Sequence, residues 1–283
     1  MFPSIMSVKA DGYFVSCFFQ GGNRESVVFI HGFGASKATF LDAFHFRGFQ
    51  ALTMVAPDLI GFGDSEKPSN FSYVMKDQAK ILRKVFDTLC LDQLNLVTHS
   101  MGGIIGIELA EMIPNRISSF INVEGNITAE DCTMSRQVAD MSTGYFAQEG
   151  FEQLKRSLAE ESERNQNEIL REYLEDFSKA TPESLYKSSV STVQESDSGD
   201  LLERFARLPM YKCYVYGEKN KGVFPAETKL RKMSIPLFYV SKSGHSMMKE
   251  NVSEFYNLVL NAIHCGSRKC PSSVASTQVW QIG

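Results

Sequence analysis

Short apolar runs and helix-spaced apolar stripes alternate along the first 125 residues. Val27-Val28-Phe29-Ile30 is a continuous apolar run, the pattern of a strand buried on both faces. The aromatic and β-branched stretch Tyr13 to Phe19 precedes it, separated by a Gly21-Gly22-Asn23 turn. Leu52 to Ala56, closed by Pro57, Leu94 to Val97, and Ile117 to Val123 read as further strands. Between them, Val74, Ile81, Leu82, Val85, Phe86 and Leu89 fall on one helical face. Ile104 to Ile113 predicts a second helix, which Pro114 stops. Strands alternating with helices need crossover connections, so the pattern predicts an α/β fold with a mostly parallel, doubly wound sheet.

The pattern changes near Asn126. From there to about Leu208 no strand run occurs. Phe151, Leu154 and Leu158 share helical spacing, as do Leu170, Tyr173, Leu174 and Phe177, and the polar stretch Ser162 to Asn167 parts the two stripes. Two or more amphipathic helices are expected there. Alternation resumes with Cys213 to Tyr216, Leu237 to Ser241, and a last helix from about Lys249 to Ile263. The reading is a core of residues 1–125 and 209–264, a helical insertion over 126–208, and a tail, 265–283, aperiodic and rich in Ser, that is expected to be mobile.

Composition narrows the class. At 283 residues, 43% hydrophobic and 22% charged, the chain matches an average globular protein and not a disordered or fibrous one. A net charge of −4 gives no overall electrostatic footprint for nucleic acid or anionic lipid. No run approaches the ~18 apolar residues of a membrane span. The start, Met1 to Lys9, lacks the basic and apolar blocks of a secretory signal. Cys17, Cys90, Cys132 and Cys213 stand singly in apolar surroundings, which points to a reduced, cytoplasmic compartment. Cys265 and Cys270 are five apart with no second ligand pair, so they read as two thiols and not a metal site. Nothing resembles a phosphate loop or a dinucleotide fingerprint, and no cofactor or metal is expected.

Three stretches carry chemistry. Thr98-His99-Ser100-Met101-Gly102-Gly103 links a strand to a helix. A Ser in such a tight turn is held strained, with its hydroxyl exposed above the sheet and the helix N-terminus aimed at it. His31-Gly32-Phe33-Gly34 follows the strand Val27–Ile30. Its glycines let a loop fold over the sheet end, where the N–H of Phe33 can join that of Met101 as a two-donor oxyanion hole. Gly244-His245-Ser246 follows the last strand, placing a His where a general base belongs.

With these stretches and Pro57-Asp58-Leu59-Ile60-Gly61-Phe62-Gly63-Asp64-Ser65, residues 10–263 resemble the α/β-hydrolase family, specifically members with a helical cap. The Asp58–Ser65 stretch is most similar to that of haloalkane dehalogenases and epoxide hydrolases. Those use an Asp nucleophile where this chain has Ser100, so the resemblance implies ester or related acyl chemistry. Thr98 departs from the Gly that usually opens the family's turn. The triad acid usually follows the first strand after the cap, where this chain reads Gly217-Glu218-Lys219-Asn220. Some cap-bearing relatives place it after the strand before the cap, a position held here by Glu124. Glu124 is the expected acid, with Glu218 and Asn220 as the alternative positions.

The expected activity is hydrolysis of a small, largely apolar ester, thioester or lactone through an acyl-enzyme. Ser100 is the nucleophile, His245 the base, Glu124 the acid, and the Phe33 and Met101 N–H groups bind the oxyanion. Hydrolytic C–C cleavage uses the same triad, and a non-catalytic receptor of this fold is the alternative that Asn220 keeps open. Asp58 and Asp64 are read as turn and capping residues. His31 and His99 are read as structural hydrogen-bonding groups, and His45 and His264 have no supporting context. Phe40, Phe44, Phe46 and Phe49 are expected in the core and the pocket wall.

Overall fold

The computed structural model describes residues 3–267. Its strands are β1 (Ser4–Ala10), β2 (Tyr13–Gln20), β3 (Glu25–Ile30), β4 (Thr53–Pro57), β5 (Gln93–His99), β6 (Ile117–Val123), β7 (Tyr211–Gly217) and β8 (Leu237–Val240). They form one sheet in the order β1-β2-β4-β3-β5-β6-β7-β8. The pairs β1–β2 and β2–β4 are antiparallel and the rest are parallel.

β1 is absent from the strands read off the apolar pattern, because as an edge strand it buries only every other side chain near its end. Val8 and Ala10 are buried while Ile5 is exposed. The signal for it lies in the turn. Asp11 and Gly12 both adopt positive φ (50° and 92°), the two-residue turn whose twist matches a hairpin.

Successive residues of a strand face opposite sides of the sheet. Val28 and Ile30 of β3 join one core with helices α1 (Met75–Thr88) and α2 (Gly102–Met112). Val27 and Phe29 join the other, where Phe29 meets Phe40, Phe49 and Tyr256 at ring-centroid distances of 5.1, 6.0 and 6.4 Å. Among the described residues the span between β6 and β7 holds helices and turns but no strand. Its principal helices are α3 (Met134–Ala139), α4 (Phe151–Asn165), α5 (Glu168–Lys179), α6 (Pro182–Asp197) and α7 (Leu201–Arg207). The last helix, α8 (Val252–Ser267), runs past Ile263 through residues 265–267, which the sequence pattern assigns to the tail. The rest of that tail, with Cys270, lies outside the described residues, and Cys265 is an exposed free thiol.

Candidate active site

β5 delivers the chain to Ser100, which sits at φ 54°, the left-handed region that non-glycine residues rarely adopt. Three backbone bonds hold it there. Its N–H donates to Val123 O (3.1 Å), and its carbonyl accepts from Gly103 (2.8 Å) and Asn126 (3.1 Å). A Cβ on Gly102 would lie 2.7 Å from His31 O, so only glycine lets α2 come this close to β3. Thr98, in place of the usual glycine, is accommodated from the helix side. A Cβ on Gly106 would lie 2.7 Å from the Thr98 methyl, and the Thr98 hydroxyl is bonded to Asn122 Oδ1 (3.1 Å).

The His31–Gly34 loop lies directly against this turn, since a Cβ on Gly32 would be 2.9 Å from Ser100 Cβ. Phe33 and Met101 are both buried beside it. α5 packs on the loop from above. Tyr173 donates its hydroxyl to Phe33 O (3.0 Å), and Gly34, at φ 66°, leaves room for the Phe177 ring.

Beneath the loop is an ion cluster that the sequence did not reveal. The buried Lys37 ammonium lies 2.6 Å from both Asp58 Oδ2 and Asp64 Oδ2. Asp58 also accepts the N–H groups of Lys37 (2.6 Å) and Asp64 (2.8 Å). The turn-and-cap reading of the two aspartates is therefore extended by an ion pair. Burial works to lower the Lys37 pKa, but Asp58 and Asp64 outweigh it, so the ammonium titrates above its ordinary value. The Lys37 hydrogen bond holds the Asp64 carboxyl below the usual range.

Glu124 directly follows β6 at φ 40°, and this turn carries its side chain across to the end of β7. Its carboxylate is buried. Oε2 lies 2.7 Å from His245 Nδ1, and Oε1 accepts the Gly217 N–H (2.8 Å). The Asn220 amide nitrogen lies 2.9 Å from each carboxylate oxygen. Glu218 is elsewhere, accepting the Lys242 N–H (2.9 Å). Of the three candidate acid positions, only Glu124 is placed on the His245 ring. Asn220 stands behind the carboxylate as a donor, not in its place.

Two further histidines frame the turn. His99 Nε2 lies 2.9 Å from His245 O, so it carries the proton, because a carbonyl only accepts. Its Nδ1 is buried without a partner. Burial first, and the neighbouring His245 second, hold its pKa well below 6.5. His31 accepts the Leu59 N–H at Nε2 (3.0 Å) and donates from Nδ1 to Gly32 O (2.8 Å). Burial lowers its pKa as well.

Ser100 and His245 open onto one cavity of about 650 Å³. Gly32 and Phe33 form its floor, and Met134, Leu170 and Tyr173 from the helices between β6 and β7 form its roof. Phe40, Phe44 and Phe49 are core residues packed around Phe29 and do not line it, nor does Phe46. The expectation that this cluster walls the pocket is corrected, since Ala38 and Thr39, in the one-turn helix Lys37–Phe40, face the cavity instead. His45 and His264 do not line it either. Among the described residues there is no group of three or more His, Cys, Asp or Glu placed to hold a metal ion. No helix among them is long and apolar enough to cross a membrane.

Comparison with known proteins places this geometry in a family. The family described as alpha/beta hydrolase fold matches residues 25–261. An uncharacterized protein of Mycobacterium tuberculosis is 28% identical over 142 residues, which is 50% of this chain and 41% of that protein. Probable lysophospholipase BODYGUARD 4 of Arabidopsis thaliana is 37% identical over 97 residues, 34% of this chain and 23% of that protein. The matches thus span less than half the length of these relatives. Among solved structures, the N-acyl homoserine lactonase AidH complexed with N-butanoyl homoserine has a TM-score of 0.74 at 16% identity, covering 95% of this chain and 99% of that one. A thermophilic esterase from Thermogutta terrifontis gives 0.74 at 18% (93% and 99%). The enol-lactonase from Burkholderia xenovorans LB400 gives 0.72 at 18% (92% and 100%). At these identities the structural likeness speaks to the fold, and the family match covers most of the chain: this protein belongs to the alpha/beta hydrolase family.

Proposed function

We propose that the protein hydrolyses a small ester, thioester or lactone through an acyl-enzyme on Ser100. The observation that carries this is the 2.7 Å contact between His245 Nδ1 and Glu124 Oε2 at the edge of the cavity that Ser100 lines. Ser100 Oγ attacks the carbonyl while His245 takes its proton at Nε2 and passes it to the leaving group. A water, deprotonated at the same nitrogen, then attacks the acyl carbon, releasing the acid and returning the proton to Ser100. Glu124 fixes the ring tautomer and offsets the charge the imidazole gains. The N–H groups of Phe33 and Met101, with the α2 N-terminus, stabilise the oxyanion. His99 contributes by staying neutral, since a second cation against His245 would oppose the imidazolium. Residues 126–208 act as a cap that selects the substrate, over a core of 1–125 and 209–264. The receptor reading rests on the missing acid at position 220, and the Glu124 carboxylate beside His245 counts in favour of the enzyme reading. The esterase and lactonase identities of the structural neighbours agree with this reading.

A fluorophosphonate probe tests it without knowledge of the natural substrate. The wild-type protein is expected to label stoichiometrically on Ser100, and Ser100→Ala not at all. Labelling that persists unchanged in Ser100→Ala, or a wild-type protein that does not react, rejects the proposal.

A further inference from the structure

The Glu124 carboxylate has more partners than it needs to orient one imidazole, and the additional side-chain partner is Asn220. We infer that Asn220 is a positioning residue for the Glu124–His245 pair: its amide holds the carboxylate on His245 while keeping a single negative charge behind the ring. This rests on the triad reading above.

The geometry is specific. Asn220 Nδ2 lies 2.9 Å from Oε1 and 2.9 Å from Oε2. The amide orientation is forced, because the opposite flip would set its carbonyl oxygen against two carboxylate oxygens. Gly217 N–H fixes Oε1 at 2.8 Å, so Oε2 is left facing His245. A donor spanning both oxygens stops the carboxylate plane from turning. That restraint matters for Glu124, whose long side chain leaves β6 from a left-handed residue and has much rotamer freedom to lose. Asn220 itself is well anchored. It ends the one-turn helix Glu218–Asn220, whose Lys219 N–H donates to Ser243 O (2.9 Å) in the loop that carries His245.

The neutrality of Asn220 is as important as its reach. The titratable neighbours of the pair are His99 from β5, Asp131 from the segment after β6, and Tyr214 and Tyr216 from β7. On its own turn and beside the His245 loop stand Glu218, Lys219 and Glu250. Burial raises the pKa of both tyrosines, which keeps them protonated, and Lys219 is paired with Glu250 (3.0 Å). None of these supplies a cation to compensate a second anion. An Asp at 220 would put two carboxylates within hydrogen-bonding distance. The second ionises less readily than the first, but over the titration range of the imidazole the pair would carry more negative charge than Glu124 alone.

The test measures kcat and KM across pH with 4-nitrophenyl butyrate for wild type, Asn220→Ala, Asn220→Asp and Glu124→Gln. Asn220→Ala is expected to lower kcat about tenfold or more with little change in KM, as befits a group that acts through the triad. The isosteric Asn220→Asp is expected to move the acid limb of kcat/KM to higher pH by about half a unit or more, because added negative charge favours the imidazolium. The added charge alone would move that limb, so the positioning role is read from the fall of kcat at constant KM in Asn220→Ala, which a merely structural role would not give. If Asn220→Ala does not fold, Asn220→Ser, which also removes the amide that spans both carboxylate oxygens, is measured in its place for the same fall of kcat at constant KM. A crippled Glu124→Gln beside an Asn220→Ala with wild-type kcat overturns the inference and leaves the triad standing. A Glu124→Gln with wild-type turnover removes the triad reading and this inference with it.

Discussion

His99 shows how one residue couples two parts of the site. It immediately precedes Ser100, and its Nε2–H reaches the carbonyl of His245, 146 positions away, with the two rings 4.4 Å apart. Gln keeps a donor of similar reach and Phe keeps only the ring. His99→Gln is therefore expected to retain turnover within about tenfold of wild type, while His99→Phe loses about a hundredfold, the cost of misplacing a catalytic group by about an ångström. Ester hydrolysis rates of the two variants check this, and equal rates would dismiss the hydrogen bond as a positioning device. At this scale the placing of Ser100 and His245 was legible, because each follows a strand in a tight turn of recognisable pattern. The contact of Glu124 with His245 was legible only by weighing Glu124 against Glu218 and Asn220. Asn220 as a donor, and Lys37 as a buried cation, were not, because their partners are 96 and 21 residues away and no local pattern records the contact.

The loop Gly32–Lys37 is an element held at both ends. Tyr173 binds it from α5, and the Lys37–Asp58 pair binds it from the sheet side. Breaking a buried pair leaves an uncompensated charge, so Lys37→Met is expected to destabilise the protein by about 3–5 kcal/mol. Urea unfolding measures this, and a loss under about 1 kcal/mol would place the pair in effectively solvated surroundings. α1, α2 and the parallel strands were legible to within a few residues, because the helices are apolar over successive turns and the strands are short continuous apolar runs, whereas α3, α6 and α7 were not read individually. α1, expected over Val74 to Leu89, spans Met75–Thr88. β1 was missed because an edge strand buries few side chains. The aromatic cluster at 40–49 was placed in both core and pocket because composition alone does not say which side of the sheet a ring faces.

For the whole molecule, the buried histidines link stability to pH. His31 and His99 both titrate below 6.5 in the folded state, so from about pH 6.5 downward the unfolded chain binds protons that the folded chain does not. Their contribution is fully present above that pH and is lost as pH falls from it toward each ring's folded-state titration. The slope is about 1.4 kcal/mol per pH unit for each ring while it stays neutral. Urea midpoints at about pH 7.5 and about pH 5.5 are expected to fall more steeply for wild type than for His99→Gln, and parallel falls would contradict the assignment. The cavity roof gives a second molecular prediction. Leu170 lines it from α5, so Leu170→Ala is expected to shift preference between acyl chains toward the longer, by about 1–3 kcal/mol per methylene-sized change. A series of 4-nitrophenyl esters measures that, and an unchanged preference would remove the roof from substrate selection.

Turnover of Glu124→Gln decides whether Glu124 completes a working Ser–His–acid triad. Gln preserves the shape and can still accept from His245, but it carries no charge to offset the imidazolium. With 4-nitrophenyl butyrate at neutral pH, and folding verified by circular dichroism, kcat is predicted to fall by about 10⁴, as when the acid of a serine-protease triad is replaced by its amide. A Glu124→Gln protein that stays within about tenfold of wild type would contradict the account.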